Sequence, residues 1–164
     1  DAITGAYETC FKVNPPLRTS EDAQAIIEGV LDGSVDAIVT DHAPHADWEK
    51  AREFELAPFG MIGIEASLAL INTNLVKTGK MGYGKLVELM SINPRKILGI
   101  EPVSIEAGSL ADITVFDADI EWTVGEDGYV SHAKNCGFAG TKVSGRATDV
   151  FVGGKQTLKN GAIC

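Results

Sequence analysis

The chain has 164 residues and a mass of 17.4 kDa, 45% hydrophobic and 23% charged by residue count, the composition of an ordinary folded domain able to bury a core. Its formal net charge of -9 argues against nucleic acid or an anionic membrane surface as a partner, since both call for a clustered basic face. No run approaches the roughly 18 apolar residues of a membrane span, and the opening Asp1 to Gly5 lacks the basic and apolar regions of a signal peptide, so a cytoplasmic protein is expected.

The first informative segment is Phe11-Lys12-Val13-Asn14-Pro15-Pro16-Leu17-Arg18, where adjacent prolines stiffen the backbone and leave Asn14 and Arg18 as polar handles. On composition alone it is a rigid linker. Thr19 and Ser20 then precede the acidic Glu21 and Asp22, with apolar residues at Ala23, Ile26, Ile27, Val30 and Leu31, which is the spacing of an amphipathic helix ended by Gly33. Val35 to Thr40 is short, β-branched and apolar on both parities apart from Asp36, as a buried parallel strand would be. Residues 41 to 60 read as a long loop, and long loops in compact domains are often functional.

A second helix follows with Ile64, Leu68, Ile71 and Leu75 on its apolar face and Gly79 at its close. A further helical piece through Leu86, Val87, Leu89 and Met90 leads to Pro94, placed to open a last short helix. After about Gly99 the texture changes to turn residues with alternating apolar positions, as in Ala111 to Asp117 and Val150 to Val152, which marks an all-β unit. Gly153-Gly154 fits a two-residue hairpin turn. Cys10, Cys136 and Cys164 are odd in number and far apart, so neither a disulfide framework nor a zinc knuckle is expected.

Chemistry concentrates in Thr40-Asp41-His42-Ala43-Pro44-His45, a polar cluster delivered by the expected strand into a loop. A carboxylate there can ligate a divalent metal or exchange a proton with metal-bound water, and His45 can donate to an anionic ligand. Equally, Asp41 can cap the next turn and both histidines can be solvated loop residues. Ala57-Pro58-Phe59-Gly60 offers an aromatic ring and accessible backbone to a flat ligand, or is an ordinary turn.

In order and spacing, F-K-x-N-P-P-L-R, T-D-H-A-P-H and A-P-F-G together resemble the class I dihydroorotase pattern within the cyclic amidohydrolase family, and the β unit with Gly108 to Ile113 looks like that family's C-terminal composite domain. The resemblance spans nearly the whole chain. It implies an α/β fold: the final strand-helix segments of a (β/α)8 TIM-type barrel over residues 1–100, then a small β-sandwich-type composite domain over 101–164. Since a whole barrel typically takes ~250 residues, the chain is expected to be a part of the enzyme and inactive alone.

Carried over residue by residue, the resemblance makes Asp41 the catalytic carboxylate and a metal ligand, and gives substrate contacts to Asn14, His45, Phe59 and Gly60. It implies a binuclear zinc cofactor whose other ligands lie upstream, and reversible hydrolysis of dihydroorotate to N-carbamoyl-L-aspartate in pyrimidine biosynthesis. The partners it implies are the N-terminal barrel portion, a second copy in a homodimer, and aspartate transcarbamoylase. It assigns nothing to His42 or Arg18, and His132 is expected to be a surface or packing residue. Rival readings are an allantoinase, hydantoinase or dihydropyrimidinase, a non-catalytic scaffold for aspartate transcarbamoylase, or a self-sufficient β binding domain. His45 discriminates among the enzymes, because a carboxylate-binding histidine has no obvious use for a neutral ring.

Overall fold

The computed structural model describes residues 7–164, so the reading of Asp1 to Gly5 lies outside the described residues. Contacts divide the chain into two compact units, the first taking residues up to Ser67 together with Thr123–Lys142, the second Leu68–Trp122 together with Val143–Cys164. Among the described residues no helix is long and apolar enough to cross a membrane.

In the first unit, helix α1 (Ser20–Asp32) forms where the spacing predicts it. Thr19 accepts from the Asp22 N–H, and in return the Asp22 carboxylate accepts from the Thr19 hydroxyl and the Thr19 N–H, two bonds that hold the Asp22 carboxyl below the usual carboxylate range. Gly33 ends the helix at φ 90°, a left-handed conformation that costs a glycine little. Of the expected apolar face Val30 is buried, whereas Ile26 is 62% exposed.

Residues 35–40 carry no strand pairing, and Val39 is 76% exposed, which corrects the expectation of a buried strand. A parallel strand is held by ladders to neighbours, and the described residues place none beside this one. The following loop contains the short helix α2 (Asp47–Lys50), and its two ends meet in a parallel bridge between His42 and Met61. Helix α3 (Ile64–Ile71) starts directly after it.

The rest of the first unit is an excursion, residues 123–142, closed at its base by bonds from the Val124 N–H to the Thr141 carbonyl (3.0 Å) and from the Gly140 N–H to the Val124 carbonyl (2.9 Å). Glu65, in the first turn of α3, accepts from the Val130 and Ser131 N–H groups at 3.0 and 2.9 Å and moors the excursion's tip. Gly137 packs so closely on Phe11 and Met61 that a Cβ there would lie 3.1 Å from each.

In the second unit α3 passes into a π turn at Asn72–Val76, and helices α4 (Tyr83–Val87) and α5 (Asn93–Leu98) follow, joined by another π turn at Glu88–Ile92. Pro94 sits in the first turn of α5, directly after the π turn, and Gly99 caps the end at φ 65°. The sheet has the order β1 (Ile113–Thr123), β2 (Lys142–Val152), β3 (Lys155–Lys159) and β4 (Ala162–Ile163). β2 and β3 are antiparallel across Gly153-Gly154, both with positive φ as a type I′ hairpin requires.

Asn72 is fully buried and its amide donates to the Ala118 and Ser144 carbonyls at 3.0 and 2.8 Å. Replacing it with alanine removes both donated bonds and leaves a void at a fully buried position, so Asn72→Ala is expected to lower stability by ~2–3 kcal/mol in chemical denaturation. A loss below ~0.5 kcal/mol would show that these bonds carry no net weight.

Candidate functional site

Asp41 opens the loop with φ 43°, the left-handed region that aspartate enters more readily than most residues but still at some cost. Its side chain is exposed, and among the described residues it makes no hydrogen bond, so the carboxylate is not used up as a turn cap.

Immediately after it, the chain is pinned across the loop. The Ala43 N–H donates to the Met61 carbonyl at 2.9 Å, and His45 Nε2 lies 2.9 Å from the Phe59 carbonyl oxygen. A carbonyl can only accept, so Nε2 carries the proton in this contact, and Nδ1 faces the Glu49 carboxylate at 3.9 Å. The Gly60 N–H donates to the Lys12 carbonyl at 2.8 Å, which brings the Phe11 to Arg18 segment onto the same turn. Three segments distant in sequence thus meet around Phe59-Gly60. The Phe59 ring remains 56% exposed while Gly60 is buried. Asn14 is exposed and precedes a cis bond to Pro15; among the described residues it makes no hydrogen bond.

Two lysines that the residue pattern did not single out build this turn. Lys12 Nζ donates to the Phe54, Glu55 and Ala57 carbonyls at 2.6, 3.0 and 2.7 Å and stands 4.6 Å from the Phe59 ring centre. Lys50 Nζ donates to the Pro58 and Gly60 carbonyls, both at 3.0 Å. Each is 8% exposed, and the carbonyls replace the water that an ammonium gives up on burial. Burial pushes Lys50 below the ordinary lysine range, opposed by Cys10 and reinforced by Lys12. The unfolded chain therefore holds that proton to higher pH than the folded chain, so the stability contribution of Lys50 grows as pH rises from its depressed folded value toward 10.5.

Asn135 is a further residue that the sequence pattern did not single out. It is 7% exposed; its Oδ1 accepts from the His45 N–H at 3.1 Å and its Nδ2 donates to the Ala43 and Gly60 carbonyls at 3.0 and 3.2 Å. Its own carbonyl accepts from the Ile62 N–H at 3.0 Å. In the sequence it is one polar residue beside Lys134 and before Cys136 and Gly137, a pattern too common to be specific.

His42 does structural work. Its Nδ1 accepts from the Gly63 and Ile64 N–H groups at 3.2 and 3.3 Å, at the start of α3, and so must be unprotonated. His42→Ala is expected to cost ~1 kcal/mol in thermal or denaturant unfolding, as loss of a helix cap does; no loss of stability would remove this role. His132 is exposed, as expected. Arg18 is solvated, 3.4 Å from Asp22.

Among the described residues no three histidine, cysteine or carboxylate groups gather as a metal site would require. Asp41 can supply one carboxylate oxygen to a divalent ion, and the described residues do not complete a coordination shell around it.

Residues 10–157 match the family model for the amidohydrolase family. The chain is 47% identical over 159 residues to a dihydroorotase of Geobacter metallireducens, covering 97% of this chain and 37% of that protein. It is 41% identical to one of a Geobacillus species, covering 92% and 35%. Among solved structures it resembles the L-hydantoinase (dihydropyrimidinase) of Arthrobacter aurescens, with TM-score 0.88 and 30% identity over 96% of this chain and 36% of that one. It also resembles the D-hydantoinase (dihydropyrimidinase) of a Thermus species, with TM-score 0.84 and 26% identity over 95% and 35%. The chain thus spans a little over a third of the length of the relatives it matches. The expected fold class, part of an α/β amidohydrolase barrel with a small β unit, agrees with these likenesses.

Proposed function

The chain belongs to the amidohydrolase family, and from that premise we propose that it is part of a dihydroorotase, which hydrolyses the ring amide of dihydroorotate to N-carbamoyl-L-aspartate and catalyses the reverse closure. The observation that carries this reading is the convergence of the F-K-x-N, D-H-A-P-H and A-P-F-G segments through the Lys12–Gly60 and His45–Phe59 contacts, beside an Asp41 carboxylate that makes no hydrogen bond among the described residues.

In this account an Asp41 oxygen accepts the proton of the attacking water and delivers it to the ring nitrogen as the amide bond breaks, one carboxylate serving as base and then acid. His45 provides the donor that an anionic ring needs in a chain of net charge -9: the substrate's exocyclic carboxylate takes the Nε2–H from the neutral Phe59 carbonyl, a stronger acceptor replacing a weaker one. The Phe59-Gly60 backbone and Asn14 orient the ring. Zinc, as a binuclear centre with Asp41 among its ligands and the remainder upstream, would supply an activated hydroxide and polarise the carbonyl.

Under this reading residues 1–100 belong to the barrel and 101–164 to the composite β domain. The protein is cytoplasmic, serves pyrimidine biosynthesis, and works with its N-terminal barrel portion, with a second copy in a homodimer and with aspartate transcarbamoylase. Support for the first of these partners is the share of its relatives' length that the chain spans.

His45 offers the sharpest check. In the full-length enzyme, His45→Asn is expected to raise KM for dihydroorotate by about 10- to 100-fold with a smaller change in kcat, the value of one charge-assisted hydrogen bond. An unchanged KM would rule out His45 as the carboxylate anchor.

A further inference from the structure

We infer that Asn135 is a positioning residue for this site, whose amide holds the His45 loop and the Phe59-Gly60 turn in the one geometry that receives the ring. The inference rests on the dihydroorotase reading for the identity of the ring, but its geometry stands on this chain alone. One buried side chain bonds both loops at once: it accepts from His45 and donates to Ala43 on one side, and donates to Gly60 on the other. Only a carboxamide presents an acceptor and a two-hydrogen donor in that fork.

Asn135 is itself fixed from behind, by the Ile62 N–H on its carbonyl, by Gly137 against Phe11 and Met61, and by the Glu65 carboxylate on Val130 and Ser131. The His45 imidazole and the Gly60 backbone therefore take their relative position from an excursion more than 70 residues further along the chain. Asn135 touches neither the reacting carbonyl nor the transferred proton in this scheme, so its effect falls on binding rather than on the chemical step.

The test is a double-substitution cycle in the full-length enzyme. Asn135→Ser is expected to raise KM for dihydroorotate at least about tenfold while kcat stays within about threefold. In a His45→Asn background, where the anchor is already gone, the same substitution is expected to raise KM by less than about threefold, because residues acting through one another are not additive. Equal effects in the two backgrounds, or a fall in kcat and stability without a change in KM, would overturn the inference. If Asn135→Ser does not fold, Asn135→Asp carries the test. It keeps the atom that accepts from His45 but sets a carboxylate oxygen against the Ala43 and Gly60 carbonyls, and the same rise in KM is expected. Should the wild-type enzyme hydrolyse a neutral hydantoin and not dihydroorotate, the proposed function fails, and Asn135→Ser assayed on the hydantoin decides the inference by itself through the Gly60 turn: a rise in KM with kcat held supports it and an unchanged KM overturns it.

Discussion

Asp41→Asn in the full-length enzyme is expected to lower kcat for dihydroorotate by about 10⁴-fold, the upper range for loss of a general acid-base group, with a much smaller change in KM. The amide keeps the size of the side chain and one oxygen able to ligate a metal, but it cannot take up and return a proton. Two features make the prediction specific to chemistry rather than folding. The Asp41 side chain makes no hydrogen bond among the described residues, so no fold-stabilising contact is lost. Its backbone sits at φ 43°, a conformation that asparagine tolerates as well as aspartate does, so the exchange adds no strain. Circular dichroism should therefore match the wild type, and zinc content measured alongside separates loss of the proton carrier from loss of a metal ligand. Activity within about tenfold of the wild type would remove Asp41 from the proton transfer.

Gly60→Ala is expected to lower kcat/KM at least about 100-fold, since misplacing a binding loop by an ångström has that order of effect. The glycine has φ 121°, which an L side chain rarely adopts, and a Cβ there would lie 2.6 Å from the Ala43 Cβ and 3.2 Å from His45 Nε2. Neither neighbour can yield freely. Ala43 is tied through its N–H to Met61 and through its carbonyl to Asn135, and His45 is held by Phe59 and Asn135. The substitution must push the turn away from both. Kinetics on both substrate directions, with a melting curve to confirm folding, checks the expectation; near-normal kcat/KM would mean that the Phe59-Gly60 backbone is not a substrate contact.

What the sequence makes legible is mostly what local chemistry decides. The Thr19 and Asp22 bonds and Gly33 bound α1 within a few residues, Pro94 opens α5, and Gly153-Gly154 turns the hairpin, because each depends on neighbours close in the chain. Residues 35–40 have strand-forming composition, yet a strand is completed by its neighbours, and among the described residues it has none.

The site divides in the same way. Asp41, His45, Phe59 and Gly60 could be named because their spacing resembles a known pattern, and the structure brings His45, Phe59 and Gly60 into contact with one another. Lys12, Lys50 and Asn135 could not. A lysine between Phe11 and Val13 looks solvated until the carbonyls of residues 54, 55 and 57 are seen around it, and Asn135 has partners 75 to 92 residues away. Polar residues that support a site are identified by tertiary partners, which local patterns do not encode.

The most direct test of the central claim is steady-state hydrolysis by the full-length, zinc-loaded protein of dihydroorotate beside a neutral hydantoin. The account predicts that kcat/KM for dihydroorotate exceeds that for the hydantoin by at least about 100-fold, the discrimination expected of a donor placed for a buried carboxylate. Preference for the hydantoin would contradict it.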